Sequence, residues 1–226
     1  MPDWLQLMWN SLGSLLWAAL IYTVPLTLLS FVLGLIVGLA CAVIRLFGPK
    51  PLVLLVRFYV WVIRGTPLLV QLFVIFYGLP SIGVTLDAFT AGLIGFTVNV
   101  GAYTSEILRA VLSAVPKGQW EASYSIGMTW SQAMRRTIIP QAARIAVPPL
   151  SNSFISLVKD TSLAAAITVP ELFQAAQRIV AATYEPLVLY IEAALIYLVI
   201  SSVLSSLQQR LEVRFGQYGG FLEARA

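Results

Sequence analysis

From Trp4 to Ile44 the chain carries no charged side chain. Wound as a single helix, this run would be about 60 Å long, about twice the hydrocarbon thickness of a bilayer. Water does not tolerate so long an apolar surface, and a bilayer does not hold it as one upright span. The run is therefore expected to divide. Trp4, Trp9 and Trp17 favour the membrane interface. Residues 1–20 read as a short helix near the surface, leading into a first span at about 21–44. Arg45, Gly48, Pro49, Lys50 and Pro51 end that span in a turn.

The remainder is equally apolar. Hydrophobic residues make up 59% of 226 and charged residues 11%, where a soluble domain carries roughly twice that charge. The fold class is all-α integral membrane, because hydrocarbon cannot satisfy free backbone groups and helices satisfy their own. A dispersed net charge of +4 gives no reason to expect a nucleic-acid partner. With no histidine in the chain, His-based catalysis and most transition-metal sites are excluded. The single cysteine, Cys41, lies in an apolar run and has no partner for an intrachain disulfide. Asp3 stands where a signal peptide would carry basic residues, so no cleavable signal is expected. There is no GxxxxGK[ST] loop and no acidic cluster suited to Mg²⁺, so no ATP site is expected in this chain.

Five spans are expected in all. A second, at about 58–79, begins beside Arg57 and Arg64, which lie seven residues apart and so on one helix face. Within it, Pro67 of Arg64-Gly65-Thr66-Pro67 bends or restarts the helix. A third, at about 89–108, holds Asn99 near its middle and Glu106 with Arg109 at its end. A fourth, at about 147–168, opens with Pro148-Pro149. The stretch 169–185 reads as an external segment, and a fifth span covers about 187–208. Arg45, Lys50, Arg57, Arg64, Arg109, Lys117, Arg135, Arg136, Arg144, Arg210, Arg214 and Arg225 all fall on one side. Arg178 alone falls on the other, and Lys159 lies within a span. The positive-inside rule then puts the N-terminus outside and the C-terminus in the cytoplasm.

The longest polar interval lies within a cytoplasmic loop of about 110–145. It is Lys117–Pro140, KGQWEASYSIGMTWSQAMRRTIIP. Gly127 interrupts a helical pattern, and Thr129 with Gln132 forms a capping box for a further helix. Glu121-Ala122-Ser123, Gly127 and Ile139-Pro140 resemble the EAA loop of membrane subunits of ABC importers. Glu121, Ala122, Gly127 and Pro140 match that pattern; Ser123, Thr137 and Ile139 depart from it conservatively. The segments RGTPLLVQLFVIFYGLP, starting at Arg64, and VPPLSNSFISLVKDTSL, ending at Leu163, resemble the polar amino-acid subfamily of the same importers.

The resemblance implies one transmembrane permease domain over 1–226, with the type I ABC importer fold, in a bacterial inner membrane. It implies that Glu121, Ala122, Ser123, Gly127, Arg135, Arg136 and Pro140 form a coupling helix against a cytoplasmic ATPase dimer, which binds ATP and Mg²⁺. It also implies a second permease subunit, an extracytoplasmic binding protein and an amino acid as cargo. A stand-alone secondary transporter or channel is the alternative. It calls for repeats within one chain, and no inverted repeat is evident. A membrane scaffold would leave the midplane charges unexplained.

Lys159, Asp160, Thr161 and Ser162 fall near the middle of the fourth span. Ionised groups there cost a few kcal/mol each, on the order of 2.5–3.5 by insertion scales, unless they face a cavity or each other. The resemblance implies a substrate gate or site; a structural Lys159–Asp160 pair is the competing reading. Adjacent helical residues point about 100° apart, so the two are not a natural pair within the helix, and one can face the cavity while the other meets a neighbouring helix. An amino acid as cargo needs a compensating group near midplane, and on that ground Asp160 is expected at the cavity and Lys159 in helix packing. Asn99 faces the same cavity or makes an interhelical hydrogen bond. Glu192 joins the pathway or is solvated near the outer surface. Glu106 with Arg109 is most simply a local ion pair. Ser153, Ser156 and Thr161 have hydroxyls for either backbone or ligand.

Overall fold

The computed structural model describes residues 3–216, and the regular structure among them is entirely helical. Arg225 and the side chain of Arg214, both counted in the charge asymmetry, lie outside that description. Near residue 20 the helix changes pitch without stopping. Helix α1 (Asp3–Ala18) runs through a π turn at Ala19–Thr23 into α2 (Val24–Phe47). Pro25 accounts for the joint: it has no N–H to donate, and its ring crowds the carbonyl one turn back. Leu15 and Ala19 are buried with Leu172, Ala176, Ala193 and Ile196. Those partners belong to α9 (Leu172–Thr183) and α10 (Pro186–Gly216), so α1 is packed on the bundle along this face.

The interval 58–79 is not one helix. Helix α3 (Lys50–Gly65) stops at Thr66-Pro67, and α4 (Leu68–Phe73) opens the next run, Leu68–Ile82, which leaves at 107° to α3. Pro67 drives Thr66 into extended backbone, φ −120° and ψ 146°. A break inside a bilayer strands the last carbonyls of the first helix. Gln71 answers this. It is buried, and its Nε2 donates to the Ile63 carbonyl at 2.8 Å, the Thr66 carbonyl at 3.1 Å and Thr66 Oγ1 at 2.9 Å.

Helix α5 (Ala88–Ala114) is capped by Asp87, whose Oδ1 accepts from the Thr90 amide at 3.0 Å. Glycines set its approach to α2. A Cβ on Gly34 would stand 2.5 Å from Val100 Cγ1, and one on Gly38 would stand 2.7 Å from Thr104 Cβ. The two backbones meet closely because these positions carry no side chain. Leu26, Leu72, Phe96, Val100 and Leu157 close the main core, joining α2, α4 and α5 to α8 (Ile139–Asp160).

The fourth expected span, 147–168, is both shifted and divided. Helix α8 begins at Ile139, so Pro148 and Pro149 lie inside it instead of opening it. Regular α winding ends at Asp160, and Thr161–Ile167 continues as a 3₁₀ turn that closes on Thr168 at φ 64°. The stretch 169–185 contains α9, whose N-cap, Glu171, is fully buried. Its carboxylate accepts from Tyr197 Oη at 2.6 Å and the Gln174 amide at 2.8 Å. Leu172 and Ala176 of this segment pack into the core with α1 and α10, while residues 181–185 are exposed.

By length and composition, Asp3–Phe47 and Pro186–Arg210 suffice to cross a membrane, and the bent pair Lys50–Gly65 with Leu68–Ile82 raises the number to three. Helices α5 and α8, of 27 and 22 residues, are long enough at about 40 and 33 Å but more polar.

Candidate functional site

Two helix breaks face each other across a cavity of about 490 Å³. Thr66-Pro67-Leu68 forms one wall and the end of α8 at Asp160 another; Asn99 and Tyr103 of α5 and Asn152, Ser153 and Ser156 of α8 line it as well. Tyr77 Oη donates to the Ala166 carbonyl at 3.1 Å and ties the two broken segments together. Irregular backbone at membrane depth is tolerated where it is buried in protein or lines a watery cavity. Here Thr66, Pro67 and Leu68 line the cavity. The wall offers a carboxylate, two amides and several hydroxyls.

The expected site residues divide. Asp160 lines this cavity and makes no ion pair or hydrogen bond with another described residue. Lys159 is exposed, does not line it, and forms no ion pair with Asp160. Asn99 meets both of its expected roles, lining the cavity and donating to Gln71 Oε1 at 3.2 Å. Thr161 and Ser162 do not contribute hydroxyls to the wall, because each turns back on the helix. Thr161 Oγ1 donates to the Val158 carbonyl at 2.7 Å and Ser162 Oγ to the Lys159 carbonyl at 2.7 Å.

Glu192 departs furthest from expectation. It is neither solvated nor part of the Asp160 cavity; it is 3% exposed and accepts from Ser11 Oγ at 2.6 Å, between α10 and α1. Sequence reasoning missed Gln71, Asn152 and Tyr103. For Gln71 a signal was present, since an amide four residues after a proline in an apolar run can reach the carbonyls that the proline frees.

On the side toward the polar loop, Glu106 gathers arginines from three helices. Arg45 Nη1 of α2 donates to Oε1, while Arg109 Nη2 and Nε reach Oε2 at 2.9 and 3.1 Å. Arg64 of α3 stands 3.7 Å from the same oxygen, with its guanidinium over the Tyr103 ring at 5.4 Å. The expected Glu106–Arg109 pair is thus one arm of a larger network.

The polar loop forms α6 (Lys117–Ser125), a glycine turn, and α7 (Trp130–Ala133), which passes through a π turn into α8. Gly127 takes φ 77°. Its amide donates to the Tyr124 carbonyl at 2.9 Å, and the Met128 amide donates to the Ser123 carbonyl at 3.1 Å. This is the Schellman closure that favours glycine. Thr129 and Gln132 make the capping box. Ser123 is buried and bonds Thr137 Oγ1 at 3.1 Å, fixing α6 against the run into α8. Glu121, Ala122, Arg135, Arg136 and Pro140 are exposed, and so is Ile126, at 73%. Val111, Met134 and Ile138 anchor the loop beneath the end of α5, with Trp120 packed against them.

Residues 30–217 match the family model described as the binding-protein-dependent transport system inner membrane component. The chain belongs to this family. The permease is 52% identical to the L-cystine transport system permease protein TcyB of Bacillus subtilis (strain 168), over 94% of this chain and 92% of that one. It is 41% identical to the arginine transport system permease protein ArgU of Corynebacterium glutamicum, over 87% of this chain and 67% of that one. A solved amino acid ABC transporter with histidines superposes at a TM-score of 0.90, with 38% identity, 95% of this chain and 99% of the other. The MetNI methionine ABC transporter, at 21% identity and a TM-score of 0.74, shares the fold. The permease is an integral membrane subunit of an ABC importer, with the type I transmembrane fold and no enzymatic activity of its own.

Proposed function

We propose that the permease forms half of the translocation pathway of an ATP-driven importer of polar amino acids, and that the cavity at Asp160 is the substrate passage. One observation carries the reading. A carboxylate with no ion pair or hydrogen bond to another described residue lines a cavity walled by two helix breaks. A zwitterion crossing a low-dielectric core needs compensating charge near midplane, and Asp160 suits an α-ammonium or a basic side chain. Relatives named for cystine and arginine support the substrate class, and L-cystine is the first substrate to test.

In this reading the chain has five spans, its N-terminus outside and its C-terminus in the cytoplasm of a bacterial inner membrane. A second permease, identical or related, completes the pore, and a binding protein delivers the amino acid. The cytoplasmic ATPase dimer, which holds ATP and Mg²⁺, receives α6 and the Gly127 turn. Its closure moves that turn as a rigid body and rocks the two membrane halves around the cavity.

Permease purified with its ATPase and reconstituted with binding protein tests the passage. Asp160→Asn is expected to lower uptake at least about tenfold, a loss of about 1.4 kcal/mol, while assembly with the ATPase is retained. Lys159→Gln is expected to keep both. A structural pair predicts the opposite: poor assembly for Asp160→Asn and recovery in the double variant. Uptake at the original rate by the double variant would rule out Asp160 as a substrate ligand.

A further inference from the structure

We propose that a pocket between α3 and the Glu106 network binds the phosphate headgroup of an anionic phospholipid. The pocket has a volume of about 430 Å³, and its walls include Arg45, Arg57, Trp61, Arg64 and Glu106. Three arginines and one carboxylate thus share the pocket wall. That carboxylate is already engaged by Arg45 and by Arg109 from outside the pocket. Arg64 reaches it only at 3.7 Å, and Arg57 has no acidic partner among the described residues. The pocket therefore keeps an unsatisfied excess of positive charge, and the forked N–H donors of arginine match phosphate oxygens.

The surrounding surface selects a lipid. Arg57, Trp61 and Arg64 follow one another at i, i+4 and i+7, a single face of α3. Trp61 is 71% exposed, and Phe58, Leu54 and Leu55 also stand outside the bundle. An indole beside arginines, next to an apolar band, suits the boundary between headgroups and acyl chains. Basic pockets between transmembrane helices suit anionic headgroups for the same reason. A second copy of the chain fits poorly. A two-fold contact through this face would set the same arginines against each other.

Native mass spectrometry of the permease purified with its ATPase tests the site. The probes are dioleoylphosphatidylglycerol, dioleoylphosphatidylcholine and inorganic phosphate. Phosphatidylglycerol is expected to be retained, phosphatidylcholine is not, and millimolar phosphate leaves the lipid in place. Arg57→Gln, at an exposed position outside the proposed passage and coupling loop, is expected to weaken phosphatidylglycerol retention by about fivefold without changing basal ATP hydrolysis. Equal retention of the two lipids, or undiminished retention by Arg57→Gln, would overturn the assignment. Displacement by free phosphate would make the ligand a soluble anion instead. A disulfide between two copies of Trp61→Cys would make the face a subunit interface.

Discussion

Gln71 holds the cavity wall in shape. Its Nε2 supplies donors to the end of α3, and its Oε1 receives Asn99, so one side chain links the broken helix to α5. Gln71→Leu keeps the volume roughly and leaves the Ile63 and Thr66 carbonyls without that donor. A buried orphan of this kind costs about 1–3 kcal/mol, so the thermal midpoint of the purified complex is expected to fall by several degrees. Asn99→Ala removes only the longer 3.2 Å bond and is expected to fall less. A Gln71→Leu complex that melts with the original would mean that water caps the break. The same contrast explains what the sequence reveals at this scale. Asn99 stands out as a lone amide in its span, whereas the partner of Gln71 depends on how sharply the chain turns at Pro67. Glu192 misleads for a related reason: its depth along α10 was readable, but the neighbour that buries it, Ser11 of α1, is 181 residues away.

At the level of elements, two glycines carry opposite consequences. Gly38 lies in the seam of α2 and α5, where a Cβ would come within 2.7 Å of Thr104 and 3.1 Å of the Gly101 carbonyl. Gly38→Ala is expected to destabilise by about 1–3 kcal/mol through overpacking, read as a lower thermal midpoint. A Cβ at Gly13 meets nothing within 4 Å, and Gly13→Ala is expected to leave the midpoint unchanged or raise it through helix propensity. Equal midpoints for the two variants would remove the seam argument. In the polar loop the glycine constraint is conformational. Gly127→Val forces a β-branched residue to φ 77° and is expected to uncouple ATP hydrolysis from the binding protein while the chain still inserts. Glu121→Lys, on the exposed face of α6, is expected to do the same by charge. Unchanged stimulation in both would take the loop out of the mechanism. The loop was legible because capping and turn chemistry act within a few residues. The second and fourth spans were only partly legible. The sequence marked their prolines, but tertiary packing let α8 absorb Pro148 and Pro149 while α3 yielded at Pro67.

For the whole molecule, composition decided the solvent, and charge asymmetry carries the proposed orientation. The long apolar run of Asp3–Phe47 is the element most open to another topology. It divides at a π turn without leaving the helix, and α1 packs on α9 and α10. If α1 lies toward the outer interface, its Trp9 and Trp17, 76% and 64% exposed, sit among headgroups or lipid. Ser81, just past the second expected span, and Glu185, at the end of the expected external segment, are then on the outer side, and Gln132 of the polar loop is on the inner side. In a background where Cys41 is replaced by alanine, single cysteines at these positions should separate cleanly with an impermeant maleimide applied to intact cells. Ser81→Cys and Glu185→Cys are expected to label, and Gln132→Cys only after the membrane is opened. The test is strong because twelve basic residues would otherwise lie on the outer side, against the bias that sets insertion. Labelling of Gln132→Cys in intact cells would reverse the orientation. It would also deny the ATPase its docking loop, so the proposed coupling role stands or falls on the same measurement.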